Sequence, residues 1–373
     1  MKITGVETIP IRVPLKAEIA IKSGRGGSHT VSPFLIVKLV TDVGHVGLGE
    51  VSCTPRWSGE DQVTAAHFIN NYFAPLLVGE DPTQIESLTT QFSFPVAGNY
   101  FTKAAVEMAL WDLAGKAVGK PVYELLGGKV RELVATKWSV SGQPPDKAAQ
   151  IARWAHEQGF HKMKVKVGID SDSDVERVRA VRAAVGPQAH IGVDANGGWT
   201  TPDIAIATIQ RLREHNIYFA EQPVPPGDSD AMSEVHRAAG IPIVADESLY
   251  TLTDARVLAR HQACDVFSIY IGKAGGILPA RRIADFAASA GIKCTIGSNL
   301  ELGVGSAAMT HLALATASID PDAYACDIIG PLFYEDDILK EPFPITPGRA
   351  TAPAKPGLGV ELDDQKIERY RVK

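Results

Sequence analysis

Polar and apolar positions alternate from the start of the chain. In MKITGVETIPIRVPL and again in PFLIVKLVTDVGHVGLGEV the apolar positions are rich in β-branched residues, which predicts strands with one face buried. The second run turns at Asp42-Val43-Gly44, predicting a hairpin with a glycine near its tip. The spacing then lengthens to three and four. Over 103–118 the apolar residues Ala104, Met108, Trp111 and Val118 predict an amphipathic helix, and Lys120-Pro121 punctuates its end. A short helical stretch follows and stops at Gly127-Gly128. Residues 1–128 therefore read as a small α+β module.

From residue 129 the rhythm changes. Short β-branched runs recur at 162–168, 190–195, 217–222, 241–247, 265–272, 292–298 and 323–330, with helical stretches such as DVERVRAVRAAV and ARRIADFAASA between them. A period of about 25 residues suits one strand, one helix and two loops. With an initial strand near 136–139 the count reaches eight, and a parallel eightfold barrel over 129–345 is the economical architecture. An open doubly wound sheet would usually carry a glycine-rich phosphate turn after its first strand, and this chain has none. The Pro/Gly-rich residues 346–373 are expected to lead back to the N-terminal module.

Composition narrows the function. A formal net charge of −6 gives no general attraction to nucleic acid, and no apolar run approaches a membrane span. The first residues lack the apolar core of a secretory signal, and Cys53, Cys264, Cys294 and Cys326 lack metal or redox spacing. Reduced thiols and a cytoplasmic location are expected.

Barrels of this kind carry their working residues at the C-terminal strand ends. Asp194 closes IGVDAN, Glu221 closes YFAEQP and Asp246 closes IPIVADES. One such acid alone would read as a helix cap or a solvated charge. Three on consecutive strands converge on one face, where they would raise each other's pKa. A hard divalent cation removes that penalty, and Mg²⁺ prefers oxygen ligands with positions left open. Lys164 and Lys166, two apart in a strand, share a face, while Met163, Val165 and Val167 take the other. Lysines turned into a barrel are costly unless they work there. Their mutual repulsion beside a dication favours the neutral amine in one of them, a base usable near neutral pH. A proton on carbon next to a carboxylate is too weak an acid for an amine unaided. Electrostatic stabilisation of the enediolate makes its removal feasible.

The stretches Lys164-Val-Lys166, Asp194-Ala-Asn196, Glu221-Gln-Pro, Asp246-Glu-Ser and Lys273-Ala-Gly-Gly resemble the enolase superfamily, in its muconate-lactonizing/mandelate-racemase branch. ALWDLAGKAVGKPVYELLGG (109–128), GSNLELGVG (297–305) and PGLGVEL (356–362) extend the likeness over essentially the whole chain. The resemblance implies a modified (β/α)8 TIM-type barrel under an N-terminal α+β capping domain. It also implies Asp194, Glu221 and Asp246 as ligands of one Mg²⁺ per active site, and Lys166 as the acid/base. Lys164 would bind the substrate carboxylate and lower the pKa of Lys166. A small carboxylate substrate, a homo-oligomer and specificity loops at 19–30 and 53–59 follow from the same likeness. Asn196, Lys273, Asn299, Glu301, Asp327, Arg25 and Trp57 are the expected substrate contacts. Lys22, His29 and Arg56 could join Arg25 around a second anionic group, and Trp57 could stack on a ring or a cation.

The departures matter more than the matches. Five residues before Gly275, where the muconate-like branch has a second catalytic lysine on the opposite substrate face, this chain has Tyr270. The mandelate-racemase type would need Asp at 270 and His at 299, and Tyr270 and Asn299 stand there. A phenol is a poor base at neutral pH, although it can donate a proton or hold an oxyanion. One-sided chemistry follows. Lys166 delivers a proton to an enolate formed by ring closure or opening, as in a muconate-type cycloisomerase. Alternatively it abstracts a proton and assists loss of a β-hydroxyl, as in a dehydratase of an acid sugar or a hydroxyproline, with Tyr270 as the acid. A racemase or epimerase is less favoured. Asp327 matches one acid of the Asp-x-Asp with which dipeptide-epimerase relatives bind an ammonium group, but Ala325 stands in place of the other. A non-catalytic binding module is opposed by the intact lysines and acids.

Overall fold

The computed structural model describes residues 1–23 and 30–372. Three antiparallel strands, β1 (Ile3–Pro14), β2 (Val31–Thr41) and β3 (Val46–Ser52), form the first sheet in that order. The hairpin between β2 and β3 lies where the sequence places it, with Gly44 at φ 81°. Against this sheet packs the helix Tyr100–Val118. Gly47 and Gly49 of β3 allow the close approach, because a Cβ at either would collide with the carbonyl of Ala109 or Ala105. The expected amphipathic helix is in fact buried on all sides from Phe101 to Gly115. The sheet covers one flank and the barrel the other, so a polar stripe has nowhere to face.

The short strand β4 (Val134–Ala135) pairs with β13 (Arg349–Ala350), which pairs with β12 (Ile345–Thr346). The barrel follows as parallel strands β5 (Trp138–Val140), β6 (Lys162–Lys166), β7 (His190–Asp194), β8 (Ile217–Glu221), β9 (Ile243–Ala245), β10 (Val266–Ile269) and β11 (Lys293–Ile296), hydrogen-bonded in chain order. The expected eighth strand at 323–330 shrinks to a bridge. Cys326 pairs in parallel with Thr136, and the Asp327 amide donates to Ile296 O at 2.8 Å, closing the ring between β11 and β5. Helices cover the outside, and the last of them, Asp364–Tyr370, returns the chain to β1, where the Val372 amide donates to Pro10 O at 2.9 Å.

Two buried glutamates join the cap to the barrel by capping barrel helices. Glu50 of β3 accepts from the amides of Leu302 and Gly305 at 2.7 and 2.9 Å, at the start of the helix Gly303–Ala315. Glu107 accepts from Ile277 and Leu278 at 2.7 and 2.9 Å, at the start of the helix Ile277–Ser289. Burial, with Glu301 and Asp337 nearby, pushes the Glu50 carboxyl up to about 8, and burial pushes Glu107 up to about 7, against their amide bonds. Raised carboxyls take up protons on folding. Their contribution is complete below the unfolded value and is lost as pH rises through 7 and 8. The melting temperature is therefore expected to fall between pH 6 and 9. Glu50→Gln, whose amide nitrogen cannot accept the second N–H, should melt lower at pH 6 but show a shallower fall. A slope unchanged in Glu50→Gln in calorimetric melts would remove Glu50 from this role.

Candidate active site

Strand parity builds the floor of the barrel mouth. On β6, Met163 and Val165 point outward into the helical layer and are fully buried there, while Lys164 and Lys166 point inward. Lys166 lies beside Asp194 in the β6–β7 register, and Asp194 beside Glu221 in the β7–β8 register. Asp246 follows the end of β9. Just past two of these strand ends the backbone turns left-handed at non-glycine positions, Asn196 (φ 47°) and Gln222 (φ 37°). Gln222 uses that turn to accept from the amides of Asp246 and Ser248 at 3.0 and 3.1 Å, tying neighbouring strand ends together.

Three lysines lie among the three acids. The Lys166 ammonium donates to Asp194 Oδ2 at 2.6 Å and to Asn196 Oδ1 at 3.0 Å. Lys164 donates to Glu221 Oε1 at 2.7 Å and Asp327 Oδ2 at 2.8 Å, and lies 3.5 Å from Asp194. Lys273 donates to both the carbonyl and the carboxylate of Asp246. Burial works to raise Asp194, but the ammoniums of Lys166 and Lys164 hold its carboxyl below the usual range. Glu221 is pushed up by burial and by Asp194 and Asp246, against Lys164. Burial would lower Lys164, yet Asp327, Glu221 and Asp194 raise it well above an ordinary lysine. The expected lysine–lysine repulsion is thus overridden at Lys164, which stands as a fixed cation.

Tyr270 and Trp57 form the opposite wall. The Tyr270 hydroxyl donates to Asp246 Oδ2 at 2.8 Å, and its ring stacks on Trp57 with centroids 5.5 Å apart and planes inclined by 17°. Burial and then Asp246 raise its phenol well above the ordinary value. Trp57 Nε1 donates to Glu247 Oε1 at 3.3 Å, and the same oxygen takes Asn196 Nδ2 at 2.9 Å. A cavity of about 370 Å³ lies over this floor. Its walls are mixed, with Ile21, Val31, Pro33, Pro55, Trp57 and Leu300 beside polar Thr54, Arg56, Ser298 and Asn299, and its polar floor includes Lys164, Lys166, Asn196, Tyr270 and Asp327.

Residues 6–127 match the mandelate racemase/muconate lactonizing enzyme N-terminal domain, and residues 146–366 match the enolase C-terminal domain-like family. The chain belongs to the enolase superfamily. It falls in the mandelate racemase/muconate lactonizing branch of that superfamily. It is 32% identical to the N-succinyl-L-Arg/Lys racemase of Bacillus cereus over 100% of this chain and 98% of that protein. The crystal structure of that racemase superposes with a TM-score of 0.95, covering 100% and 99% of the two chains. Muconate cycloisomerase 1 of Rhodococcus opacus is 32% identical over 99% of this chain and 98% of the relative. The dipeptide epimerase of Cytophaga hutchinsonii, in complex with Mg and the dipeptide D-Ala-L-Val, is 34% identical with a TM-score of 0.93, over 99% and 98% of the chains. These superfamily relatives are isomerases of two kinds, cycloisomerases and racemases or epimerases.

The acids suit the superfamily's cation. Among the described residues no three ligand-type side chains close on a common point as they stand. The donor set is nonetheless all oxygen, three carboxylates at neighbouring strand ends. Buried Glu221 Oε2 has no hydrogen-bond partner, and each acid of the set carries a lysine ammonium that offsets its charge. Asp194, Glu221 and Asp246 could hold a hard dication.

The remaining expected contacts divide. Asn299 lines the cavity and donates to Thr54 Oγ1 at 2.6 Å. Glu301 turns back into its own loop, accepting from Ser298 Oγ at 2.5 Å and the Asn299 amide at 3.1 Å, and does not line the cavity. Lys273 does not line it either, because Asp246 and Ser268 O hold its ammonium. Trp57 lines it with Tyr270 stacked on the ring. Arg56 lines it with no hydrogen bond or ion pair among the described residues. Lys22 does not line it, and Arg25 and His29 lie outside the described residues. Glu247 and Lys137 were not singled out by sequence. Glu247 sits inside the quoted Asp246-Glu-Ser stretch. Lys137, 1% exposed and bound to Asp327, lies in the predicted first barrel strand, where a lysine is itself a signal. Among the described residues no helix is long and apolar enough to cross a membrane.

Proposed function

We propose that this enzyme is a Mg²⁺-dependent isomerase of the muconate-cycloisomerase type, moving one proton at the carbon next to a substrate carboxylate through an enediolate. The observation that carries this reading is the asymmetry across the barrel. β6 and β10 occupy opposite places in the ring, and β6 brings the Lys166 amine to the cavity floor. Beyond the end of β10 there is instead the Tyr270 phenol, bound to Asp246 and covered by Trp57. Lys166 can give or take a proton on its own face, and among the described residues no second amine lines the cavity opposite it, since Lys273 is held by Asp246 outside the lining.

Lys164 supplies a fixed positive charge beside the substrate carboxylate. In the floor four lysines, Lys137, Lys164, Lys166 and Lys273, pair with four acids, Asp194, Glu221, Asp246 and Asp327, and buried Glu247 stands beside them as a fifth carboxyl. Mg²⁺ held by Asp194, Glu221 and Asp246 would supply Lewis-acid stabilisation of the charge that develops on the carboxylate oxygens. Trp57 and Leu300 line the cavity beside this floor.

Incubation with muconates, N-succinyl amino acids and hydroxy acids in deuterated water tests this reading. One deuteron is expected at one face of the α-carbon, and Tyr270→Phe should keep exchange within threefold. Exchange from both enantiomers of one substrate, or loss beyond a hundredfold in Tyr270→Phe, would replace it with a two-sided racemase. Release of water from a hydroxy acid would replace it with a lyase.

A further inference from the structure

At the seam where the barrel closes, a carboxylate is gripped twice. Lys137 sits just before β5 on the same face as Ser139, its Nζ donating to Ala325 O and lying 3.1 Å from Asp327 Oδ2. Lys164 reaches the same oxygen at 2.8 Å. Both lysines are buried, at 1% and 3% exposure, and they hold one side of Asp327 with two positive charges. The other oxygen, Oδ1, is shielded from solvent and has no hydrogen-bond partner. Asp327, Lys164 and Ser139 all line the substrate cavity.

We infer that Lys137 makes Asp327 a recognition point for a neutral hydrogen-bond donor on the substrate, an amide N–H or a hydroxyl, and closes that end of the cavity to an ammonium group. A buried carboxylate oxygen in a cavity wall calls for a donor. With two ammoniums already on its partner oxygen, the charge of Asp327 is taken up and a third cation finds no free ion-pair partner there, whereas a neutral N–H or O–H needs only the unpaired acceptor. The position follows from Lys164. A carboxylate bound at its ammonium places the substituent on the neighbouring carbon within reach of Asp327, because Lys164 and Asp327 are themselves in contact. The substrate class is then an N-acylated or hydroxylated carboxylate and not a free amino acid or a peptide with a free amino end. This rests on the proposed cavity as the carboxylate site but not on the chemistry of Lys166.

Binding therefore tests it separately from turnover. Calorimetric titration of the Mg²⁺-supplemented enzyme would use four probes with the same apolar tail. They are L-norleucine, with an ammonium; N-acetyl-L-norleucine, with an amide N–H; 2-hydroxyhexanoate, with a hydroxyl; and 2-acetoxyhexanoate, with no donor. The amide or the hydroxyl probe should bind at least tenfold tighter than both the ammonium and the acetoxy probes, and the tighter of the two names the donor. In Lys137→Met the ammonium probe should gain at least tenfold on the amide probe. Equal binding of acetoxy and amide probes, preference for norleucine, failure of all four to bind, or an unchanged ratio in folded Lys137→Met would each overturn the inference. If the variant does not fold, the four wild-type affinities decide. Deuterium exchange lost while these ratios hold would count against the proposed reaction and leave this site standing.

Discussion

Lys166→Ala is expected to lower deuterium exchange and turnover by about a thousandfold, the range in which a positioned acid/base acts. Of the three lysines that contact the proposed metal-binding acids, Lys273 lies off the cavity with its ammonium held by Asp246, and Lys164 is fixed as a cation between Glu221 and Asp327. That leaves Lys166, 12% exposed at its side chain, as the amine that faces the substrate and can change partners. Removing it also frees Asp194 from its 2.6 Å ammonium contact, so affinity for Mg²⁺ should hold or rise while catalysis disappears. That split separates loss of a base from collapse of the site. A variant that keeps a tenth of wild-type exchange would mean that another group moves the proton.

Mg²⁺ should raise the melting temperature of the wild-type chain and should do so far less in Glu221→Gln. An ion held by the folded site would have no comparable site in the unfolded chain, so at a hundredfold excess over Kd it would add about 2.7 kcal/mol of stability. Glu221 is the decisive ligand to remove. It lies between the other two acids in strand order, and its unpartnered Oε2 is already available to an ion. EDTA should reverse both the thermal shift and the turnover. Identical melts with Mg²⁺ and with EDTA would rule out the proposed ion site.

The barrel and the line of three acids were legible because both are written at strand ends, where periodicity of two fixes which side chains turn inward. The lysine pair was legible for the same reason, since Lys164 and Lys166 alternate with apolar Met163 and Val165. Other features depend on what lies across the fold. The helix Tyr100–Val118 has a spacing that suggests one apolar face, but two layers of protein enclose it. The eighth strand is only a bridge, in which Cys326 N donates to Ala135 O on one side and Asp327 N to Ile296 O on the other. Lys273 looks like a site residue and is one only indirectly, since its direction depends on the short helix Ile271–Ala274. Lys137 followed the inward-facing lysine rule as well as Lys164 did. It escaped notice because its partner, Asp327, is 190 positions away in the chain.

The paired glutamate joints have a consequence for how such proteins can be rearranged. Glu50 and Glu107 belong to the cap, yet the amide groups they satisfy open two helices of the barrel. A barrel excised from this chain, or given a foreign cap lacking acids at those places, would begin both helices with bare donors in a dry interior. Exchange of caps between relatives should therefore yield soluble chimaeras only when both joints travel with the cap.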